Sequence, residues 1–357
     1  MEIGIAGPPG SGKTTVFNAL TKSHAQTGGG QRDPHRAVVK VPDARVDALS
    51  AIFHPKSIKY ADVEFVDVAG LAKGSGAESE AAILGHLRTV DALALVVPAF
   101  VSEAGVDGFV AELVSLGEDL VLADLAIVEK RHERLEREVR MGAGTPAERQ
   151  LRDAEVDVLR RVKDVLNEGQ PVSALSLNPE DLAHIRNFGL LTAKPTIAIA
   201  NIGDDVAGGE RLVEAAQGRL PVFAREVLAI PGRLEMELAE LDEDEAQEFM
   251  EAMGLRALHA GEVIQASYRL LDLISFLTAG EDECRAWPIR RGSTALDAAG
   301  TIHSDLARGF IRAEVVAYQD FINAGSTAEA RKRGKLRSEG KTYVVEDGDV
   351  INVLFNV

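Results

Sequence analysis

The chain has a single cysteine, Cys284. No internal disulfide can form, and a reducing compartment is expected. The thiol itself reads as a small semi-buried side chain. Long hydrophobic runs are missing too. The most apolar stretch, residues 93–101, is too short to span a bilayer and contains Pro98. No signal peptide precedes the first strand. The expectation is a cytoplasmic protein with no membrane association, and a monomer. Positive charge is scarce, with 39 Lys and Arg against 56 Asp and Glu and a net charge of −17. That argues against nucleic-acid binding through overall charge, so any RNA contact must use a local basic patch. There is no internal repeat and no low-complexity tail.

What is present begins at the N-terminus. A length of 357 residues suits two or three domains, and 46% hydrophobic residues are ample for a core. An apolar run from Ile3 to Ala6 reads as a buried strand, and Val16, Phe17, Ala19 and Leu20 open a helix. Between them, Gly7 to Thr14 fit G-x-x-x-x-G-K-[ST] at every fixed position. Strand, glycine loop and helix form the context a phosphate-binding loop needs. Glycines let backbone N–H groups turn inward around a phosphate, and the helix N-terminus adds the positive end of its dipole. Gly10, Ser11, Gly12, Lys13, Thr14 and Thr15 are the expected phosphate-holding residues. Lys13 supplies a mobile charge for the β- and γ-phosphates and is the catalytic candidate; the Thr14 hydroxyl is a ligand for Mg2+.

Residues 63–70 read as a strand ending in D-x-x-G. At that place Asp67 reaches Mg2+ through water, and the Gly70 N–H senses the γ-phosphate. Leu71 follows, where Ras-like enzymes place a water-orienting Gln; an aliphatic side chain cannot orient water by hydrogen bonding. The first-switch position is loop-like, and Thr27 is its only hydroxyl candidate for the metal. Residues 92–97 form another buried-type strand. A strand near 194–200 ends in N-x-x-D, with Asn201, Ile202 and Asp204 as the expected base-facing residues. Ile202 stands where GTPases carry a Lys whose stem lies over the base.

Residues 118–140 change character. Val121, Leu125, Val128, His132, Leu135 and Val139 recur at alternating steps of four and three, a coiled-coil seam. Thr145-Pro-Ala-Glu148 reads as a capping box with Pro at the first helical position, and Leu151, Ala154, Val158, Val162 and Val165 carry a second helix. An antiparallel helical hairpin is predicted. From residue 273 the pattern becomes a small α+β unit. Arg331-Lys-Arg-Gly-Lys-Leu-Arg337 is the one evident basic patch and a candidate RNA-facing surface.

Taken together, these pieces resemble the YchF (Obg-like ATPase) family over nearly the whole chain. The stretches that carry the resemblance are Asp67-Val-Ala-Gly-Leu-Ala-Lys-Gly, Leu122-Ala-Asp-Leu, Leu191-Thr-Ala-Lys-Pro, Phe276-Leu-Thr-Ala-Gly-Glu, Ile302-His-Ser-Asp-Leu-Ala-Arg-Gly-Phe-Ile-Arg-Ala-Glu-Val and Tyr343-Val-Val-Glu-Asp-Gly-Asp-Val-Ile-Asn. The resemblance implies an α/β fold: a P-loop NTPase, Ras-like G domain with a mostly parallel sheet. It also implies an inserted antiparallel helical hairpin and a C-terminal β-grasp (TGS) domain. The expected boundaries are 1–117 with 188–272 for the nucleotide domain, 118–187 for the arm and 273–357 for the TGS domain. Mg2+, ATP in preference to GTP, and the ribosome are the implied cofactor, nucleotide and partner. Departures are Gly10 and Ser11 in the loop, a first switch without the family's aromatic-proline stretch, no His after Pro98, and Asp204 where Glu is usual. The expected function is slow, Mg2+-dependent hydrolysis of ATP by a ribosome-associated P-loop NTPase. The alternatives are a regulatory module that binds nucleotide but scarcely hydrolyses it, and a GTPase, because Asp204 keeps guanine-type acceptor chemistry.

Overall fold

The computed structural model describes every residue except 27–32, 69, 71–76, 101–104, 142–144, 254, 256 and 357. The chain runs through β1 (Glu2–Ala6), α1 (Lys13–Thr21), β2 (His35–Lys40), α2 (Ala44–Phe53), β3 (Ser57–Lys59) and β4 (Asp62–Asp67). Next come α3 (Ala77–Thr89), β5 (Ala92–Pro98), α4 (Gly105–Arg140), α5 (Pro146–Asn167), α6 (Pro179–Ile185), β6 (Thr196–Asn201) and α7 (Val206–Gln217). Then follow β7 (Ala224–Ile230), α8 (Gly232–Leu238), α9 (Glu243–Ala252) and α10 (His259–Leu270). The C-terminal part holds β8 (Leu273–Ala279), β9 (Glu283–Arg290), α11 (Ala295–Ile302), α12 (Ser304–Arg308) and β10 (Phe310–Ala317). It ends with α13 (Tyr318–Ala324), α14 (Thr327–Lys332), β11 (Arg337–Glu339) and β12 (Asp349–Phe355). Two compact units result: residues 1–37 with 64–263, and residues 38–63 with 264–357.

The first unit is built on a sheet of order β2-β4-β1-β5-β6-β7, in which the pairs from β4 to β7 are parallel. Its central strands are mostly apolar because both faces are covered. β6 is buried at every position. Phe109, Leu113 and Leu116 of α4 and Leu87 of α3 fill one face with Leu93, Leu95 and Val97 of β5. In such a sheet ligands gather outside the C-terminal ends of the strands, and β1, β4 and β6 all end in the motifs described above.

α4 has 36 residues, about 54 Å of helix. Its first part belongs to the sheet core. Beyond it, Val121, Val128 and Leu135 pack with Val158, Leu159, Val162 and Leu166. The arm is thus a continuation of a body helix that starts at Gly105, and residue 118 is not an element boundary. The capping box forms as expected, Thr145 accepting from Glu148 N and Glu148 from Thr145 N, with Pro146 at the helix start. The seam frays at its far end: Val139 and Leu151 are 40% and 64% exposed.

The second unit has sheet order β11-β10-β12-β8-β9-β3. A hairpin, β8–β9, is followed by α11, and the returning β12 lies parallel to β8 and antiparallel to β10, the β-grasp arrangement. One element is unexpected. Residues 38–63, assigned from sequence to the nucleotide domain, belong here. β3 lies parallel to β9 as an outer strand, and Phe53 meets Phe321 with ring centroids 5.9 Å apart. Arg45 reaches Asp347 at 3.0 Å, and Gln265 donates to the Pro42 carbonyl. A three-residue strand carries no periodicity of its own, so its partner could be identified only in the folded chain.

The basic run carries acidic neighbours of its own. Arg331 pairs with Glu314, Lys332 and Arg333 with Glu329, Lys335 with Asp320, and Arg337 with Asp349. All five cations are exposed, yet each has an acidic neighbour from the same unit. The run therefore offers little net field to a phosphate backbone.

Candidate functional site

The loop between β1 and α1 closes on itself. Gly10 and Gly12 take φ of 78° and 83°, in the left-handed region that favours glycine. At Gly12 there is a second constraint, because a Cβ there would lie 2.1 Å from Asn201 Nδ2. Gly10 is exposed at the tip, Thr14 and Thr15 are half-buried in the first helical turn, and Ser11 is fully buried with no partner for its hydroxyl. Lys13 is 7% exposed and its Nζ donates to the Pro8 carbonyl at 2.8 Å. Burial pulls its pKa down, opposed by the Asp67 charge. A Cβ on Gly70 would sit 3.0 Å from the Lys13 ammonium, so the D-x-x-G glycine comes against the loop as its spacing predicts.

The Thr14 hydroxyl donates to Asp67 Oδ2 at 2.7 Å. Asp67 is 5% exposed, and its Oδ1 is buried without a hydrogen-bond partner. Burial raises the Asp67 pKa, while the Thr14 hydroxyl, Lys13 and His35 hold it down. An unsatisfied buried carboxylate oxygen beside a hydroxyl is the donor set a hard, oxygen-seeking cation takes. The chemistry of these residues fits Mg2+ with Thr14 and Asp67 as protein ligands, the remaining positions being left to water and phosphate.

At the end of β6, Asn201 is buried and both ends of its amide are used. Nδ2 donates to the Ser11 carbonyl at 2.9 Å, and Oδ1 accepts the Gly232 N–H at 3.2 Å. Ile202 departs from expectation. Its side chain is 5% exposed and packs in the sheet core against Gly209, and its N–H is bonded to the Ile230 carbonyl. It offers no side chain to a base. Both faces of the sheet are covered here, so burial runs through Asn201 and on to Ile202 without alternating. Asp204 is exposed, with the Arg233 guanidinium in its electrostatic reach.

Three residues were missed in the sequence. Gly232 and Arg233 follow β7 with no signal beyond a Pro-Gly turn. His35 opens β2 beside Asp67 and lies 6.2 Å, centroid to centroid, from the Phe17 ring. Its side of the sheet was invisible without the strand order. His86 sits inside α3. Thr27, Leu71 and the loop at 101–104 lie outside the described residues.

A mostly parallel sheet with a complete phosphate loop, a Thr–Asp pair at its helix start and an Asn-anchored loop after β6 defines a P-loop nucleotide-binding protein of the G-domain type. Comparison with known proteins agrees. Residues 2–131 match the family model MMR_HSR1, described as 50S ribosome-binding GTPase. Residues 273–356 match YchF-GTPase_C, described as a protein of unknown function (DUF933). The "Ribosome-binding ATPase YchF" of Bacillus subtilis is 36% identical, with 100% of each chain covered. That of Pasteurella multocida is also 36% identical, covering 100% of this chain and 99% of its own. The solved "Structure of the Schizosaccharomyces pombe YchF GTPase" superposes with a TM-score of 0.83 at 31% identity, covering 99% of this chain and 97% of that one. The chain belongs to the YchF family.

Proposed function

We propose that this protein binds a nucleoside triphosphate with Mg2+ and hydrolyses it slowly, in the cytoplasm and in association with the ribosome, with ATP preferred to GTP. The observation that carries the reading is the Thr14–Asp67 pair, 2.7 Å apart, beside a buried Lys13 in a complete phosphate loop. The ATP and ribosome parts draw support from the names that the full-length relatives bear.

In this reading the amides of Gly10 to Thr15 and the Lys13 ammonium hold the β- and γ-phosphates. Lys13 exchanges the Pro8 carbonyl for phosphate oxygens, whose charge offsets the effect of its burial. The Gly70 N–H faces the γ-phosphate. Thr14 and Asp67 would hold Mg2+, which would supply positive charge against the phosphates. Asn201 fixes the loop that the base enters, and Asp204 borders it. With Ile202 turned inward, no cationic stem lies over the base. The Ile202 N–H is already taken, so backbone carbonyls near 202–204 are the acceptors left for the adenine amino group.

Titration with labelled nucleotide tests the site. Lys13→Ala is expected to lose tight binding while melting as the parent does; unchanged affinity would overturn the assignment. Competition between ATP and GTP tests the base. A GTP preference of about tenfold, roughly 1.4 kcal/mol, would overturn the choice of ATP.

A further inference from the structure

Two of the stretches that mark the sequence, around Leu122–Leu125 and Leu191–Pro195, have no part in the nucleotide site. They meet in one buried cluster. Asp124, on α4, is fully buried. Its Oδ1 accepts from Arg88 Nη1 at 2.8 Å and from Leu191 N at 3.0 Å. Its Oδ2 accepts from the Thr192 N–H and the Thr192 hydroxyl, both at 2.8 Å. Arg88 lies in the last turn of α3. Its guanidinium also donates to the Ala123 carbonyl at 3.0 Å and the Gly189 carbonyl at 3.2 Å. Thr192 Oγ1 accepts from Val172 N, and Lys194 Nζ donates to the Arg88 and Val90 carbonyls.

The position of this cluster matters more than its strength. Asp124 sits where α4 leaves the sheet core, whose last α4 member is Leu120, and enters the arm core with Val121 and Val128. The segments that Asp124 and Thr192 gather both belong to the arm's root: α4 itself and the 172–192 return. The segment that Arg88 contributes is α3. That helix has 13 residues, about 20 Å, and begins a few residues after Gly70, which touches the loop lysine. α3 therefore follows the phosphate-side glycine in the sequence and ends at the arm's root.

We infer that Arg88 and Asp124 are positioning residues that couple the nucleotide site to the helical arm. A shift of the 67–70 strand end on nucleotide binding is carried by α3 to the clasp and changes the packing of the arm's root. Arginine is required because one planar fork reaches three acceptors on two different segments; a lysine point charge at the same place cannot span them. The readout of the coupling is the nucleotide-dependent difference at the root. The inference rests on the nucleotide-binding reading above.

Hydrogen exchange on the full chain, with and without Mg2+ and a non-hydrolysable ATP analogue, tests both separately. The parent is expected to show protection at residues 10–15 and, at 121–128 and 189–194, an exchange change of about fivefold or more. Arg88→Lys should keep the first and lose the second. The double variant Arg88→Met with Asp124→Asn, which leaves no charge buried alone, should do the same. A parent with a protected loop and an unchanged root would overturn the inference. So would variants that raise basal exchange at the root yet keep its nucleotide-dependent change, the behaviour of a purely structural brace. An unprotected loop in the parent would remove the nucleotide reading and this inference with it.

Discussion

Asn201 Nδ2 donates to the Ser11 carbonyl at 2.9 Å, joining residues 190 positions apart in the chain. The same side chain takes the Gly232 amide on its oxygen. One buried amide thus ties together the loops that follow β1, β6 and β7. A residue so engaged shapes the pocket before it reads a base.

Removing it should therefore weaken binding without changing selectivity. Asn201→Ala leaves two buried backbone groups unpaired, at about 1–3 kcal/mol each. ATP and GTP affinities are expected to fall together by about tenfold or more. Competition titrations of the variant check this. A loss confined to one nucleotide would make Asn201 a base reader instead.

Asp67→Asn keeps an acceptor for the Thr14 hydroxyl but removes the anionic ligand. Nucleotide binding by the variant should become nearly insensitive to Mg2+, while binding in its absence is retained. Paired titrations with Mg2+ and with a chelator measure the difference. A full Mg2+ effect in the variant would place the metal elsewhere.

Phosphoryl transfer needs a charge clamp, a metal and an oriented water. In the proposed reading Lys13 and the loop amides answer the first, and Thr14 with Asp67 the second. Leu71 cannot serve the third. Single-turnover hydrolysis by the isolated protein is expected well below roughly 1 per second. Turnover of several per second would reveal a water-orienting group elsewhere; no turnover at all would favour a regulatory nucleotide binder.

Neutralising Arg331, Lys332 and Arg333 by Gln should leave ribosome cosedimentation and its salt dependence unchanged, because Glu314 and Glu329 already hold these cations. Each exposed pair contributes at most about 1 kcal/mol, so the second unit should also melt close to the parent. A flattened salt slope would restore the run as a phosphate contact.

A pH effect is expected at the start of α10. The Glu235 carboxylate, buried on α8, accepts the His259 and Ala260 amides and meets His259 Nδ1 at 2.9 Å. That bond raises the His259 pKa in the folded chain, against burial that lowers it. The stabilisation is complete below the unfolded value near 6.5 and is lost as pH rises through the higher folded value. The stability difference between the parent and His259→Gln should shrink on going from about pH 6 to pH 9. Denaturant midpoints across that range measure it, and a difference that grows with pH would reverse the assignment.

Much of the phosphate side was legible because its motifs are local and fixed in spacing: Lys13, Thr14 and Asp67 fall where a strand–loop–helix and a strand end require them. The arm was legible through its heptads, yet its root was not, since α4 enters from the sheet core with no break at 118. The burial of the Ile202 side chain was not legible, because a motif position says nothing about which way a strand end turns its side chain. The ion pairs of the basic run were hidden for a similar reason. Its neutralising partners Glu314, Asp320 and Asp349 come from other elements, and only the fold brings them near.

Because residues 38–63 contribute α2 and β3 to the second unit, that unit is not one continuous piece of chain. A fragment starting at 264 or 273 would leave β9 with a bare edge and Phe321 without Phe53. Bare edges invite pairing between chains. Dissection of this protein therefore calls for a graft: the 38–63 segment joined by a linker to 264–357, rather than a simple truncation.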